Sequence, residues 1–222
     1  MARFLRHDVY TAIYDAGFLP LFYHGDEEIA TEIVAACARG GARAIEFTNR
    51  GEMAYPVFSA LVRRFAKTAP DVILGVGSVV DAPTAAMFIA AGANFIVAPN
   101  FNPEIARLCN RRKVAYVPGC MTPTEVATAE EAGAELIKIF PGNIVTPEFI
   151  KALLGPCPWS RLMPSSGVDY SAESIGAWLK AGAAVVGMGG KLIGGAVVKE
   201  QQWDRLAEMT RQCLAWVQEA RR

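Results

Sequence analysis

Four stretches decide the architecture: GGARAIEF at 40–47, AAGANFIV at 90–97, EAGAELIK at 131–138 and KAGAAVVG at 180–187. Each repeats one phrase, a small residue, Gly and Ala, two variable residues, then an apolar run. The Gly fits the left-handed position that stops a helix, and the Ile, Val and Phe residues after it fit a strand covered on both faces. Between them lie four more apolar runs, at 19–23, 72–76, 114–117 and 162–164, which makes eight strand candidates.

Helix starts follow most of these strands. Asp26 precedes EEIATEIVAACARG, Asp81-Ala82-Pro83 precedes TAAMFIAAG, and Asn102-Pro103-Glu104 precedes IARLCNRR. Thr122-Pro123-Thr124-Glu125 is a capping box with Pro in the first turn. Thr146-Pro147-Glu148 and Ser171-Ala172-Glu173 start two more, and Glu200 to Arg221 reads as a terminal helix. A further helix, about Leu5 to Ala16, precedes the first strand, with Val9 and Ile13 on one face and Gly17 as its stop. Sharing 222 residues among eight strand and helix units gives just under 28 each, the size expected of a small α/β (β/α)8 TIM barrel with an additional N-terminal helix. No linker or composition shift divides residues 1–222, so one domain is expected. An open doubly wound sheet is the rival. Its glycine fingerprint is missing: Gly75-Val76-Gly77 has Val80 where the third Gly belongs, and Gly187-Met188-Gly189-Gly190-Lys191 runs into Leu192 rather than a P-loop Ser or Thr.

Composition narrows the function. Lys and Arg total 22 against 22 Asp and Glu, a formal charge of zero that argues against blanket binding to nucleic acid or anionic membranes. With 52% hydrophobic and 20% charged residues the chain can bury a sizeable core. Five cysteines without a C-x-x-C pair, beside only His7 and His24, argue against a zinc site or a disulfide framework and for a reducing compartment. The N-terminus lacks an apolar core of signal-peptide length, so a cytoplasmic protein is expected.

In a barrel the chemistry sits at the C-terminal ends of the strands, which directs attention to ionisable residues there. Alternation in ELIKIF puts Leu136, Lys138 and Phe140 on one face and Ile137 and Ile139 on the other. In AIEFTNR it groups Ala44, Glu46 and Thr48. If Ile45, Phe47, Ile137 and Ile139 face the helices, Glu46 and Lys138 face the axis and converge across one mouth. A Lys among apolar groups loses solvation of its ammonium form, and the neutral amine is what imine chemistry on a ketone requires. Glu46 can then move protons. The same two charges fit equally a structural ion pair. Arg50 can grip a carboxylate or be a solvated loop residue. Ser78 closes the GVGS run beside Gly75 and Gly77, as a ligand contact or as a turn hydroxyl. His24 reads as a loop residue and Cys120 as a packed thiol.

At these residues the chain resembles the bacterial KDPG/KHG aldolase family. The matching motifs run in order: IEFTNR at 45–50, LGVGSV at 74–79, PGCMTPTE at 118–125, IKIFPG at 137–142 and VGMGG at 186–190. The resemblance implies a class I aldolase that reversibly cleaves 2-keto-3-deoxy-6-phosphogluconate or 4-hydroxy-2-oxoglutarate to pyruvate and an aldehyde. It implies Lys138 as the Schiff-base lysine, Glu46 as general acid/base, Arg50 as holder of the pyruvyl carboxylate, Ser78 in place of a Thr that contacts pyruvate, and Phe140 as the ring beside the imine. Pro99, Ser165, Ser166, Gly167, Gly189 and Gly190 complete the expected substrate-binding set. The phosphate end departs from the family, which has Pro-Thr-Gly-Gly where this chain has Pro164-Ser165-Ser166-Gly167 and a Ser where it has Gly190. No metal or cofactor is expected, and the resemblance implies a homotrimer acting on small molecules. The alternative is a phosphosugar-binding barrel of another reaction type, an epimerase or isomerase, or a barrel that binds without catalysis; none of these needs a neutral Lys138.

Overall fold

A computed structural model describes residues 2–222. Among them the chain runs α1 (Arg6–Ala16), β1 (Phe18–Phe22), α2 (Glu27–Arg39), β2 (Ala44–Thr48), α3 (Ala54–Thr68), β3 (Ile73–Gly77), α4 (Ala82–Ala91), β4 (Phe95–Val97) and α5 (Pro103–Arg112). It continues with β5 (Ala115–Val117), β6 (Gly119–Cys120), α6 (Pro123–Glu131), β7 (Ile137–Ile139), α7 (Gly142–Leu154), β8 (Leu162–Pro164), α8 (Ala172–Lys180), β9 (Val186–Met188), α9 (Gly195–Lys199) and α10 (Trp203–Ala220). The repeated glycines do what their phrase predicts: Gly41, Gly92, Gly133 and Gly182 all have φ between 86° and 111°, where a side chain would be strained. The start signals hold as well. Asp26, Asp81, Asn102, Thr122 and Ser171 each accept a backbone N–H of the first turn, and Thr122 with Glu125 closes a capping box.

The result is an α/β fold around a curled parallel sheet. One part has the order β5-β4-β3-β2-β1-β9 and the other β6-β7-β8, every pairing parallel. A parallel bridge from Ser165 to Gly187 joins the end of β8 to β9. Where eight strands are expected, the described residues form nine. The fifth run is cut at Pro118, which has no N–H to give, and Gly119–Cys120 pairs separately with β7. The first strand begins one residue earlier than expected and ends at Phe22.

Helices differ from expectation in two places. The helix expected to start at Thr146 is preceded by a turn from Gly142, with Thr146 at φ 55° and ψ 166° breaking the two apart. The terminal helix starts at Trp203 rather than Glu200, because Glu200 ends the short α9 and Gln201 takes a left-handed φ of 52°.

Side-chain alternation sorts two cores. Ile45, Phe47, Ile137 and Ile139 pack outward beneath the helices, whereas Leu19, Ala44, Ile73, Phe95, Val97, Val117, Leu136, Met163 and Val185 fill the interior of the curled sheet. Helix α1 contributes Val9, Tyr10 and Ile13 to that interior cluster. It plugs the end where the strands begin, and the Tyr10 hydroxyl donates to the Tyr116 carbonyl at 3.0 Å. The other end, where the strands finish, is not covered by α1. Among the described residues no helix is long and apolar enough to cross a membrane.

Candidate active site

Strand β2 delivers Glu46 and β7 delivers Lys138 to the interior side of the sheet, directly above the apolar cluster. Register fixes their neighbours: Glu46 lies opposite Leu21 of β1 and Gly75 of β3, and Lys138 opposite Gly119 of β6 and Met163 of β8. Both are nearly sealed from solvent, Glu46 at 1% and Lys138 at 4% exposure. Burial pushes the Lys138 ammonium down from the ordinary lysine value, and the nearby Arg50 charge pushes the same way against the opposing pull of Glu46. Burial likewise pushes the Glu46 carboxyl up, opposed by the charges of Lys138 and Arg50. Desolvation dominates in both, so the neutral amine and the neutral acid are each favoured relative to water. Among the described residues neither carboxyl oxygen of Glu46 has a hydrogen-bond partner. The pair is therefore not closed into a satisfied structural ion pair, which would be the stable way to bury two charges. The Lys138 Nζ stands 4.8 Å from the centre of the Phe140 ring.

Arg50 follows β2 in an exposed loop, and its Nε donates to the Ser78 hydroxyl at 3.0 Å. Ser78 holds a left-handed φ of 58° immediately after β3, turning its side chain toward Arg50. The guanidinium is thus anchored by one edge with its other nitrogens free of that bond. A cavity of about 410 Å³ opens beside these groups, lined by Leu21, Arg50, Phe140, Ser165, Ser166, Gly167, Val168, Gly187, Gly189, Gly190 and Lys191. Ser166 and Gly167 both take left-handed φ values, 69° and 76°, in the turn after β8. The Gly189 carbonyl accepts the N–H groups of Leu192 and Ile193 at 2.8 Å, folding the turn after β9 around the far end. Lys191 reaches that end too, with its Nζ 2.9 Å from the Asp169 carboxylate.

Of the expected site residues, Arg50, Phe140, Ser165, Ser166, Gly167, Gly189 and Gly190 line this one cavity, with Ser78 bonded to Arg50. Pro99 is placed differently, its carbonyl packed against Gly119. The His24 Nδ1 accepts the Asp26 N–H at 3.1 Å, as befits a loop residue, and the buried Cys120 thiol is pushed up to about 12, as befits a packed one. Sequence reasoning did not single out Leu21 or Asp169. The register partner of Glu46 was the available clue for Leu21, whereas nothing local marks Asp169 as the partner of Lys191.

Comparison with known proteins gives the family and the fold. The family model for KDPG and KHG aldolase matches residues 9–209. A 2-dehydro-3-deoxy-phosphogluconate aldolase of Pseudomonas aeruginosa is 29% identical over 209 residues, covering 94% of this chain and 92% of its own. A 2-dehydro-3-deoxy-6-phosphogalactonate aldolase of Escherichia coli is 31% identical over 167 residues, covering 75% of this chain and 78% of its own. In fold, the chain is similar to the KDPG aldolase of Legionella pneumophila, whose crystal structure holds pyruvate as a covalent carbinolamine, with a TM-score of 0.83 over 91% of this chain and 96% of that one at 22% identity.

Proposed function

We propose, since this chain belongs to the KDPG and KHG aldolase family, that Lys138 and Glu46 carry out the reaction that makes it a class I aldolase. The chain is a lyase that reversibly cleaves a 2-keto-3-deoxy sugar acid, phosphorylated or not, or 4-hydroxy-2-oxoglutarate to pyruvate and an aldehyde. The observation that carries the residue assignment is a buried Lys close enough to a buried carboxyl for their charges to act on one another, the carboxyl having no hydrogen-bond partner among the described residues.

In this reading the neutral Lys138 amine attacks the C2 carbonyl, and Glu46 passes the protons that turn the carbinolamine into water and an iminium. As the C3–C4 bond breaks, its electrons move into the iminium to give an enamine, and Glu46 takes the proton of the C4 hydroxyl as the aldehyde forms. Protonation at C3 and hydrolysis then return pyruvate and free Lys138. The Phe140 ring shields the imine from water. Pyruvate treated with borohydride is expected to leave a reduced pyruvyl group on Lys138, read by peptide mass spectrometry. An adduct on another lysine would end this assignment.

Arg50 holds the carboxylate of the pyruvyl half, steadied by Ser78. A planar fork can grip a carboxylate at two points and an ammonium cannot. Arg50→Lys is therefore expected to raise the pyruvate KM in the condensation direction by about tenfold or more, with a smaller change in kcat, the scale of one charge-assisted hydrogen bond. An unchanged KM would return Arg50 to a solvated loop role.

The rest of the cavity takes the aldehyde half, against Ser165, Ser166, Gly167, Gly189 and Gly190. A Cβ at Gly190 meets nothing within 4 Å, so there is room for a serine side chain to start there. Gly190→Ser is expected to raise kcat/KM for 2-keto-3-deoxy-6-phosphogluconate by about 10- to 150-fold, the value of a hydrogen bond to a charged acceptor, and to leave 2-keto-3-deoxygluconate unchanged. Equal change for both substrates would place residue 190 away from any phosphate.

The Ser165–Gly187 bridge and the short Pro118 interruption support a sheet that closes as one (β/α)8 barrel. Exposed Met53 just before α3, Tyr55 on α3, Val80 in the loop between β3 and α4, and Met87 on α4 support self-association, which we read as a homotrimer. Five free cysteines support a cytoplasmic setting.

A further inference from the structure

We infer that Gly77 is a positioning residue for Glu46: the space where its side chain would be is occupied by the Glu46 carboxyl. A Cβ built on Gly77 collides with Oε1 of Glu46 and lies 2.5 Å from its carboxyl carbon and 2.9 Å from its Cγ. Real Cβ atoms do not approach other groups so closely, so either the carboxyl or the strand must shift. The strand has little freedom. It is paired along its length with β2, from Ala44 opposite Ile73 to Thr48 opposite Gly77, and with β4 on its other side. The Gly77 carbonyl also accepts the Asn49 N–H at 2.8 Å.

Backbone conformation is not the reason for glycine here, since Gly77 is absent from the residues with positive φ. Two residues earlier, Gly75 does the same for another group, because a Cβ there would enter the Phe95 ring. The two glycines of β3 thus hollow one side of the strand at successive levels. Phe95 fills the lower hollow as part of the apolar interior, and Glu46 uses the upper one. A methyl group at 77 leaves Glu46 only the directions away from β3. Its carboxyl, already without hydrogen-bond partners, has no bond to hold it in register with Lys138 once the hollow is filled. With no hydrogen bond to fix it, the acid/base group depends on that hollow for its position.

That displacement costs turnover only if Glu46 works on substrate, so the kinetic part rests on the aldolase reading, while the steric part does not. Gly77→Ala is expected to lower kcat by about 10²-fold, the cost of misplacing a working group by about 1 Å, with the pyruvate KM within about twofold of wild type because Arg50 is untouched. The thermal midpoint is expected to fall by about 2–10 °C from overpacking. In a Glu46→Ala background the same Gly77→Ala change should cost less than half of that midpoint shift and add little to the loss of kcat. Folding of the double variant where Gly77→Ala alone fails to fold supports the inference equally. An equal midpoint cost in both backgrounds, a near-normal kcat in Gly77→Ala, or failure of both variants to fold overturns it. Borohydride trapping of wild type on Lys138 reports separately on the aldolase reading, so the two cannot fail unnoticed together.

Discussion

Lys138→Ala is expected to lower the rate of aldol cleavage by about 10⁴-fold or more, the scale on which loss of an essential nucleophile is felt. No neighbour can replace it. Lys191, which lines the cavity, is largely exposed and paired with Asp169. The variant should still bind pyruvate through Arg50, and should form no borohydride adduct in the cavity. Retention of more than about one hundredth of the activity would require a mechanism without an imine.

The pH dependence follows from the same burial. Imine formation needs the neutral amine, so its rate should rise with pH through the depressed Lys138 value and level off below the ordinary lysine value of 10.5. Stability moves with it in a fixed direction. Between the depressed value and 10.5 the unfolded chain holds a proton on this lysine that the folded chain lacks, so Lys138 makes stability rise with pH there. For Glu46, raised above 4.5, the folded chain holds the extra proton, and stability falls as pH rises from 4.5 through the raised value. A trapping profile centred at or above 10.5 would mean that burial does not activate Lys138.

Glu46→Gln is expected to slow turnover by about 10²- to 10⁴-fold, the usual contribution of a positioned proton-transfer group. The amide keeps the volume of the side chain and fills the same hollow beside Gly77, so the fold should survive and the loss should fall on proton transfer. Pyruvate should still be trapped on Lys138, more slowly, because water can move those protons less well than a fixed carboxyl. If steady-state turnover remains near wild type, Glu46 is a counter-ion of Lys138 and the proton path lies elsewhere. Read together, the two variants separate the group that forms the covalent bond from the group that moves protons around it.

Much of this molecule is determined by short spacings. A Gly after a helical stretch, an Asp, Asn, Ser or Thr before one, and strict alternation within a strand each act within a few residues. They placed the helix stops at Gly41, Gly92, Gly133 and Gly182, and put Glu46 and Lys138 on the interior face with Ile45 and Ile139 outside. What those spacings do not contain is the relation between elements distant in the chain. Tertiary structure alone decided that the Glu46 carboxyl enters the hollow at Gly77, that Ser78 holds Arg50, and that Asp169 meets Lys191. It also decided that Pro118 splits one strand, that Thr146 breaks α7 and that a short helix precedes Trp203. The physical reason is that periodicity fixes which face a side chain takes, whereas register and sheet curvature fix what stands opposite. Those are set by the packing of all the strands at once.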